Sequence, residues 1–326
     1  MIEPPVFYFG GKRDLAPTVW QRFGKSKVYI EPFTGMAASL LGRPIETFPS
    51  GFIESVNDKN ALIANFFRSA QCKPEEVVHH AVHPPIEIEL LARWSSLLAA
   101  RHQLSEKLLD PEYYDARAGG WWLYCFANFV RPREGAAKPR KMKPSFRASG
   151  ILSPNSQHRA WDYFVELQQR MANVRIMCRD YQELLVDSEI NEAKGNVASI
   201  LVDPPYKANA EMYAKEFRTT PFDYDALLQR CIELGSRDNV RIALCGYSGD
   251  YDMPDDWTIE RWHPQEDSLE RVWYSPGCKD ADMDSFWENK AFVGNVFEQM
   301  EARFRPTPIE GLIDIIRGED DEDDDE

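Results

Sequence analysis

The chain has 326 residues and a formal charge of −15, from 38 Lys and Arg against 53 Asp and Glu. Eight of the acids form one run, Glu319 to Glu326, and removing it leaves the balance at −7. Hydrophobic residues make up 43% and aromatics 12%, which excludes wholesale disorder. No apolar run approaches the roughly 18–20 residues of a membrane span.

The acidic total argues against a protein that simply coats nucleic acid, and it leaves room for a nucleic-acid enzyme with a local basic patch. The opening MIEPPVFYFGG has neither a basic n-region nor an apolar stretch, so no signal peptide is expected. The six cysteines are scattered without a CxxC pair. That pattern predicts free thiols in a reducing, cytoplasmic compartment rather than a zinc ribbon or a disulfide scaffold.

In chain order, Lys27–Glu31 and Gly51–Val56 read as strands: short, rich in Val, Ile and aromatics, and bounded by turn residues. Ala61–Ala70 follows as an amphipathic helix. The rhythm then breaks. From residue 72 to 160 the text is helical (Pro85–His102, Gly119–Phe129) and then loop-like. The segment 131–147, RPREGAAKPRKMKPSFR, holds seven basic residues against one acid and is dotted with Pro and Gly, so a mobile loop is expected. A helix at Trp161–Met171 resumes the alternation. Strands follow at Val174–Cys178 and Ala198–Val202, and a helix at Asp225–Leu234. Three more strands are expected at Val240–Cys245, Trp257–Trp262 and Arg271–Ser275. Strands alternating with helices imply a doubly wound α/β sheet. Residues 1–71 and 161–317 then form one catalytic domain, 72–160 an insertion, and 318–326 a solvated acidic tail.

Three places carry chemistry. The first strand runs into Glu31-Pro32-Phe33-Thr34-Gly35-Met36-Ala37, a strand–glycine–helix turn of the kind that brings backbone close to a nucleotide-like cofactor. With one glycine it is not GxGxxG, and a plain tight turn serves equally. The second strand ends at Asn57-Asp58-Lys59-Asn60. An acid there commonly receives ribose hydroxyls, and Asp58 is equally placed to cap the helix that follows. The strongest signal is Asp203-Pro204-Pro205-Tyr206, directly after ASILV. Two prolines stiffen the turn and remove two amide donors. The Pro204 carbonyl and the Asp203 carboxylate are two acceptors for an exocyclic amine, and Tyr206 offers a face for a planar base. Drawing both N–H groups toward acceptors localises the nitrogen lone pair toward an incoming methyl group. A base in a duplex reaches such a turn only when flipped out. A rigid turn with a capping Asp is the plain alternative.

Taken together, Tyr8-Phe9-Gly10-Gly11-Lys12, Glu31-Pro32-Phe33-x-Gly35, Asn57-Asp58-x-Asn60, Arg179-Asp180-Tyr181 and Asp203-Pro204-Pro205-Tyr206 resemble the Dam-type, alpha-group DNA adenine methyltransferases, phage-borne members above all. Gly246-Tyr247-Ser248 and Arg271–Pro276 add to the likeness, which covers about residues 6–70 and 174–290. The resemblance implies a seven-stranded Rossmann-like methyltransferase sheet with a mainly helical inserted target-recognition domain at 72–160, and S-adenosylmethionine as donor. It implies cofactor contacts from Tyr8, Gly10, Gly11, Lys12, Glu31, Phe33, Gly35, Asp58, Asn60, Asp180, Tyr181 and Asp203. Tyr8 would pack on the cofactor adenine, Lys12 would lie near the methionine carboxylate or the target base, and Glu31 would face the methionine amino group. Asp58 would hold the ribose and Asp180 the adenine amino edge; the residues alone favour a surface turn acid for Asp180. Asp203, Pro204, Pro205 and Tyr206 would form the catalytic turn. The chain departs from the family in three places: Tyr8 stands where Trp is usual, Ala37 where a second glycine is common, and Tyr224 near a position often held by His.

Duplex DNA is the partner this implies. Arg131, Arg133, Lys138, Arg140, Lys141, Lys143 and Arg147 are the expected phosphate contacts, and Asn128 a base contact. A merely solvated loop is the alternative for the basic run. Trp121, Trp122, Tyr124 and Phe126 are expected mainly in the core. His79, His80 and His83 lack a completing acid or thiol, so no metal is assigned. The leading expectation is methylation of adenine N6 in DNA. Cytosine N4 or an RNA base as target, and a non-catalytic DNA-binding relative, are the rivals.

Overall fold

The computed structural model describes residues 2–6, 12–82, 86–130, 143–144, 152, 159–207, 222–261 and 269–279. Their strands are β1 (Val28–Glu31), β2 (Ile53–Asn57), β3 (Phe129–Val130), β4 (Lys143–Pro144), β5 (Val174–Met177), β6 (Ala198–Val202), β7 (Val240–Tyr247), β8 (Thr258–Arg261) and β9 (Glu270–Tyr274). The helices are α1 (Ala16–Phe23), α2 (Ala38–Leu41), α3 (Ala61–Cys72), α4 (Pro74–Ala81), α5 (Glu87–Lys107), α6 (Ala116–Asn128), α7 (Ala160–Met171), α8 (Asp187–Asn191) and α9 (Tyr224–Gly235).

Seven strands make one sheet in the order β5-β2-β1-β6-β7-β9-β8. The first five are parallel, and β9 runs antiparallel to both β7 and β8. Period-two alternation sends side chains to two cores. Tyr29, Leu201, Ala243 and Cys245 join a core built with α1, α3 and α7. Val28, Ile30, Ile200, Val202, Ile242 and Leu244 face a second core with α8 and α9. Both faces of the central strands are therefore covered, which is why these strands read as mostly apolar runs.

The expected strands all form, within one or two residues of their predicted ends. The region 72–160 is mainly helical where it is described, and its helices share the α3 and α7 core through Val77, Leu97, Leu104, Trp122 and Leu123. Helix α3 anchors them. Its Arg68 donates to the Ile176 carbonyl at 2.9 Å and to the Asp110 carbonyl at 2.7 Å, and Asn65 exchanges two 2.8 Å bonds with the Asp115 backbone. Helix α6 lies so close to α4 that a Cβ on Gly120 would stand 2.6 Å from the Val77 carbonyl.

Part of the expected loop is ordered differently. Lys143–Pro144 pairs antiparallel with Phe129–Val130 as a separate two-stranded ribbon, so two residues of the expected loop lie in a strand. All six thiols are free. No described helix is long and apolar enough to cross a membrane, and no group of three described His, Cys, Asp or Glu residues is placed to hold a metal.

Candidate active site

In the sheet, the chain turns outward in opposite directions from β1 and β6, which are parallel neighbours. Ligands of open α/β sheets bind in the crevice beyond the carboxyl ends of the strands at such a reversal. Glu31 ends β1, Asp203 follows β6, Asp58 follows β2 and Asp180 lies just beyond β5. The sheet thus gathers four of the acids singled out from the sequence along one edge.

Asn57 holds three of these strand ends together. Its side-chain amide donates to the Pro32 carbonyl at 3.0 Å and the Arg179 carbonyl at 3.1 Å, and its Oδ1 accepts from the Arg179 N–H at 2.8 Å. Its own carbonyl accepts from the Thr34 N–H at 2.9 Å. Asn57 appeared in the sequence only as a letter of a motif; nothing local distinguishes a buried strut from a loop Asn.

The β1 turn is left-handed at two residues, Gly35 (φ 49°) and Ala37 (φ 55°). The Gly35 N–H donates to Asp58 Oδ2 at 2.9 Å, and the Asn60 N–H to Asp58 Oδ1 at 2.8 Å. Helix α3 is capped by Asn60, whose Oδ1 accepts from the Leu62 N–H at 3.1 Å, and not by Asp58. Asp58 is spared the cap and instead links the two strand-end turns. Burial pushes its carboxyl up to about 6 against the pull of these two N–H groups.

Glu31 is buried (3% exposed) and its Oε2 has no hydrogen-bond partner among the described residues. Burial raises its carboxyl well above the usual range; the nearby Tyr29 hydroxyl opposes the rise, and Asp203, Glu54 and Asp58 add to it. The Tyr29 hydroxyl itself makes no hydrogen bond of proper geometry, so it relieves Glu31 only partly. An unmatched buried carboxylate among other acids is a place for a cation.

Lys12 is brought in by the turn that starts α1, its carbonyl accepting from the Leu15 and Ala16 N–H groups. Its Nζ lies 2.8 Å from Asp203 Oδ2 and 5.2 Å from the centre of the Tyr206 ring. Burial pulls the Lys12 ammonium down, but Asp203, with smaller contributions from Cys245 and Glu270, outweighs it and the net shift is upward. Asp203 is lifted by burial and pulled back by Lys12, with a net upward shift. Tyr206 is buried edge-to-face on Tyr247 at 4.6 Å, near the Asp203 carboxylate but with its hydroxyl unpartnered among the described residues. The Pro205 carbonyl accepts from the Tyr224 hydroxyl at 2.7 Å. Among the described residues nothing donates to the Pro204 carbonyl.

Phe33 and Tyr181 meet at the β1 and β5 ends with ring centres 5.3 Å apart, and Phe222 packs on both. Asp180 Oδ2 is paired with Lys59 at 2.9 Å, and its Oδ1 caps the turn at the Gln182 N–H. That is the surface-acid arrangement that the residues alone favour. Its carboxyl sits below the usual range: burial lifts it, but Lys59 and the Gln182 N–H together outweigh that.

Asn128 is not presented as a base reader. It is buried at the end of α6, where its amide donates back to the Tyr124 carbonyl at 2.8 Å, as helix geometry allows at i, i+4. Tyr8, Gly10, Gly11, Arg131, Arg133, Lys138, Arg140, Lys141 and Arg147 lie outside the described residues. Of Lys143 only the backbone pairing with Val130 is described. No family model matches the chain, and no curated protein matches it.

Proposed function

We propose that this protein is an S-adenosylmethionine-dependent methyltransferase acting on the N6 amine of an adenine flipped out of duplex DNA. The observation that carries the proposal is the Asp203–Tyr206 turn at the β1/β6 reversal, where a Pro204 carbonyl that no described residue donates to stands beside the half-buried Asp203 carboxylate. The strand order also supports it. A dinucleotide-binding sheet continues 3-2-1-4-5-6. Here the antiparallel last strand β9 lies between β7 and β8 instead, in the seven-stranded form that the resemblance implies.

The residues present fit the donor. Glu31 offers an unmatched carboxylate oxygen to an ammonium group. Asp58 keeps lone pairs on both oxygens for vicinal hydroxyls after accepting from Gly35 and Asn60. Phe33 and Tyr181 supply flat apolar surface for an adenine ring. When bound, the sulfonium donor supplies an electrophilic methyl group. The chain's own part is to accept both N–H groups of the target amine, at Asp203 and the Pro204 carbonyl, and so aim the nitrogen lone pair. Lys12 holds Asp203 charged, and therefore acceptor-only, until the amine arrives. Tyr206 gives the base a stacking face. The basic segment 131–147 is the phosphate contact.

Asp203→Ala tests this. On the proposal it abolishes methyl transfer while DNA binding, measured by fluorescence anisotropy, stays within a few-fold of wild type. Loss of both together, or no loss of transfer, contradicts it.

A further inference from the structure

Tyr224, the first residue of α9, contacts the catalytic turn from outside. Its hydroxyl donates to the Pro205 carbonyl at 2.7 Å. The turn has unusual need of such a contact. Pro204 and Pro205 have no N–H, so this stretch of backbone cannot brace itself through its own amides.

The phenol is itself held in place. Phe222 packs on its ring at 4.7 Å, and the Lys207 ammonium lies 5.6 Å from the ring centre. Lys207 is anchored in turn on the Asp250 carbonyl. The start of α9 is fixed by Asp223, whose Oδ1 accepts from the Ala226 N–H at 2.9 Å. Phe222 continues the contact to Phe33 and Tyr181, with ring centres 5.7 and 5.2 Å away. A continuous aromatic wall therefore runs from the β1 and β5 ends to the Asp203–Tyr206 turn and ends in one hydrogen bond.

We infer that Tyr224 is a positioning residue: by engaging the Pro205 carbonyl it fixes the turn so that Asp203 and the Pro204 carbonyl face the target amine together. The inference rests on the methyltransferase reading for its consequence in rate, and on the hydrogen bond alone for its consequence in structure. A methyl-transfer geometry is sensitive to displacements well under 1 Å, so a loosened turn slows the step without weakening cofactor binding.

The test is Tyr224→Phe, which keeps the ring and its packing and removes only the donor. Three quantities are measured on the full chain: amide hydrogen exchange of the peptide spanning 203–207, the affinity for S-adenosylmethionine, and the single-turnover rate of methyl transfer to DNA. Exchange at Tyr206 and Lys207 is expected to rise about fivefold, the effect of one hydrogen bond. The rate is expected to fall about tenfold with cofactor affinity within twofold of wild type. Tyr224→His, whose imidazole can also donate, is expected to recover part of the rate. Unchanged exchange in Tyr224→Phe overturns the clamp whatever the activity. Raised exchange with an unchanged rate overturns the positioning role. A wild-type protein that transfers no methyl group to any nucleic acid defeats the methyltransferase reading, and the exchange result still decides the clamp.

Discussion

Asn57 gives the sharpest quantitative test of how the site is held. Its side chain makes three hydrogen bonds to backbone groups of the β1 and β5 turns, at 3.0, 3.1 and 2.8 Å. Replacing it with Ala leaves two carbonyls and one N–H without those partners. At about 0.5–1.5 kcal/mol net per bond, the loss is about 2–4 kcal/mol. Asn57→Asp is a stricter probe. It retains an acceptor for the Arg179 N–H but sets a second carboxylate oxygen against the Pro32 and Arg179 carbonyls, inside a buried site. It should therefore destabilise more than Ala, although it is the closer isostere. Guanidinium unfolding followed by tryptophan fluorescence measures both, comparing midpoints at constant m. The strut argument fails if Asn57→Ala lies within about 0.5 kcal/mol of wild type, a change typical of a surface site. It also fails if Asp is the milder substitution.

Lys12→Met should cost about 3–5 kcal/mol, since it leaves Asp203 charged and unpaired with side chains only 6% and 18% exposed in the wild-type pair. Adding Asp203→Asn should recover most of that, and a double-mutant cycle without coupling would refute the pairing. Glu31 and Asp58 both hold protons in the folded state that the unfolded chain has already released, because burial raises both carboxyls. Stability of the cofactor-free protein should therefore fall as pH rises: from 3.8 to about 6 for Asp58, and from 4.5 upward for Glu31. Glu31→Gln should flatten the fall above pH 4.5 in thermal melts across pH; an unchanged slope contradicts the assignment. Gly35→Val places a β-branched residue at a φ of 49° and should cost about 2 kcal/mol or more, with weakened cofactor binding by calorimetry. Near-wild-type stability would mean that the turn relaxes.

The strands were legible because both faces of the central sheet are covered, so β1, β6 and β7 are written as mostly apolar runs between turn residues. Order within the sheet was less so: that β9 enters between β7 and β8 depends on pairings no local window contains. Helix α1 was missed because its apolar face is spread over a short segment, APTVWQRF, that meets its partners only in the folded core. Helix α4 begins at a Lys-Pro step and falls in the stretch from residue 72 that reads as helical, where no separate helix is expected. Asp58 and Asp203 were found because each follows a strand, whereas the roles of Glu31 and Asp180 came only from the resemblance. The division of labour after β2 was not legible. Asp58 and Asn60 are two residues apart and either can cap a helix, and only the position of the Gly35 N–H, contributed by another strand, assigns the cap to Asn60. Asn128 shows the reverse. As an Asn next to a basic run it suited base recognition, but the packing of α6 turns it inward.

The most direct measurement of the central claim supplies purified protein with methyl-labelled S-adenosylmethionine and mixed-sequence duplex DNA, with RNA in a parallel tube, and identifies the labelled nucleoside by mass after digestion. The account predicts label in N6-methyladenine from DNA, absent with Asp203→Ala. Label in N4-methylcytosine or in RNA contradicts the assigned target while leaving the amine chemistry standing. A protein that binds the cofactor yet labels neither nucleic acid contradicts the central claim.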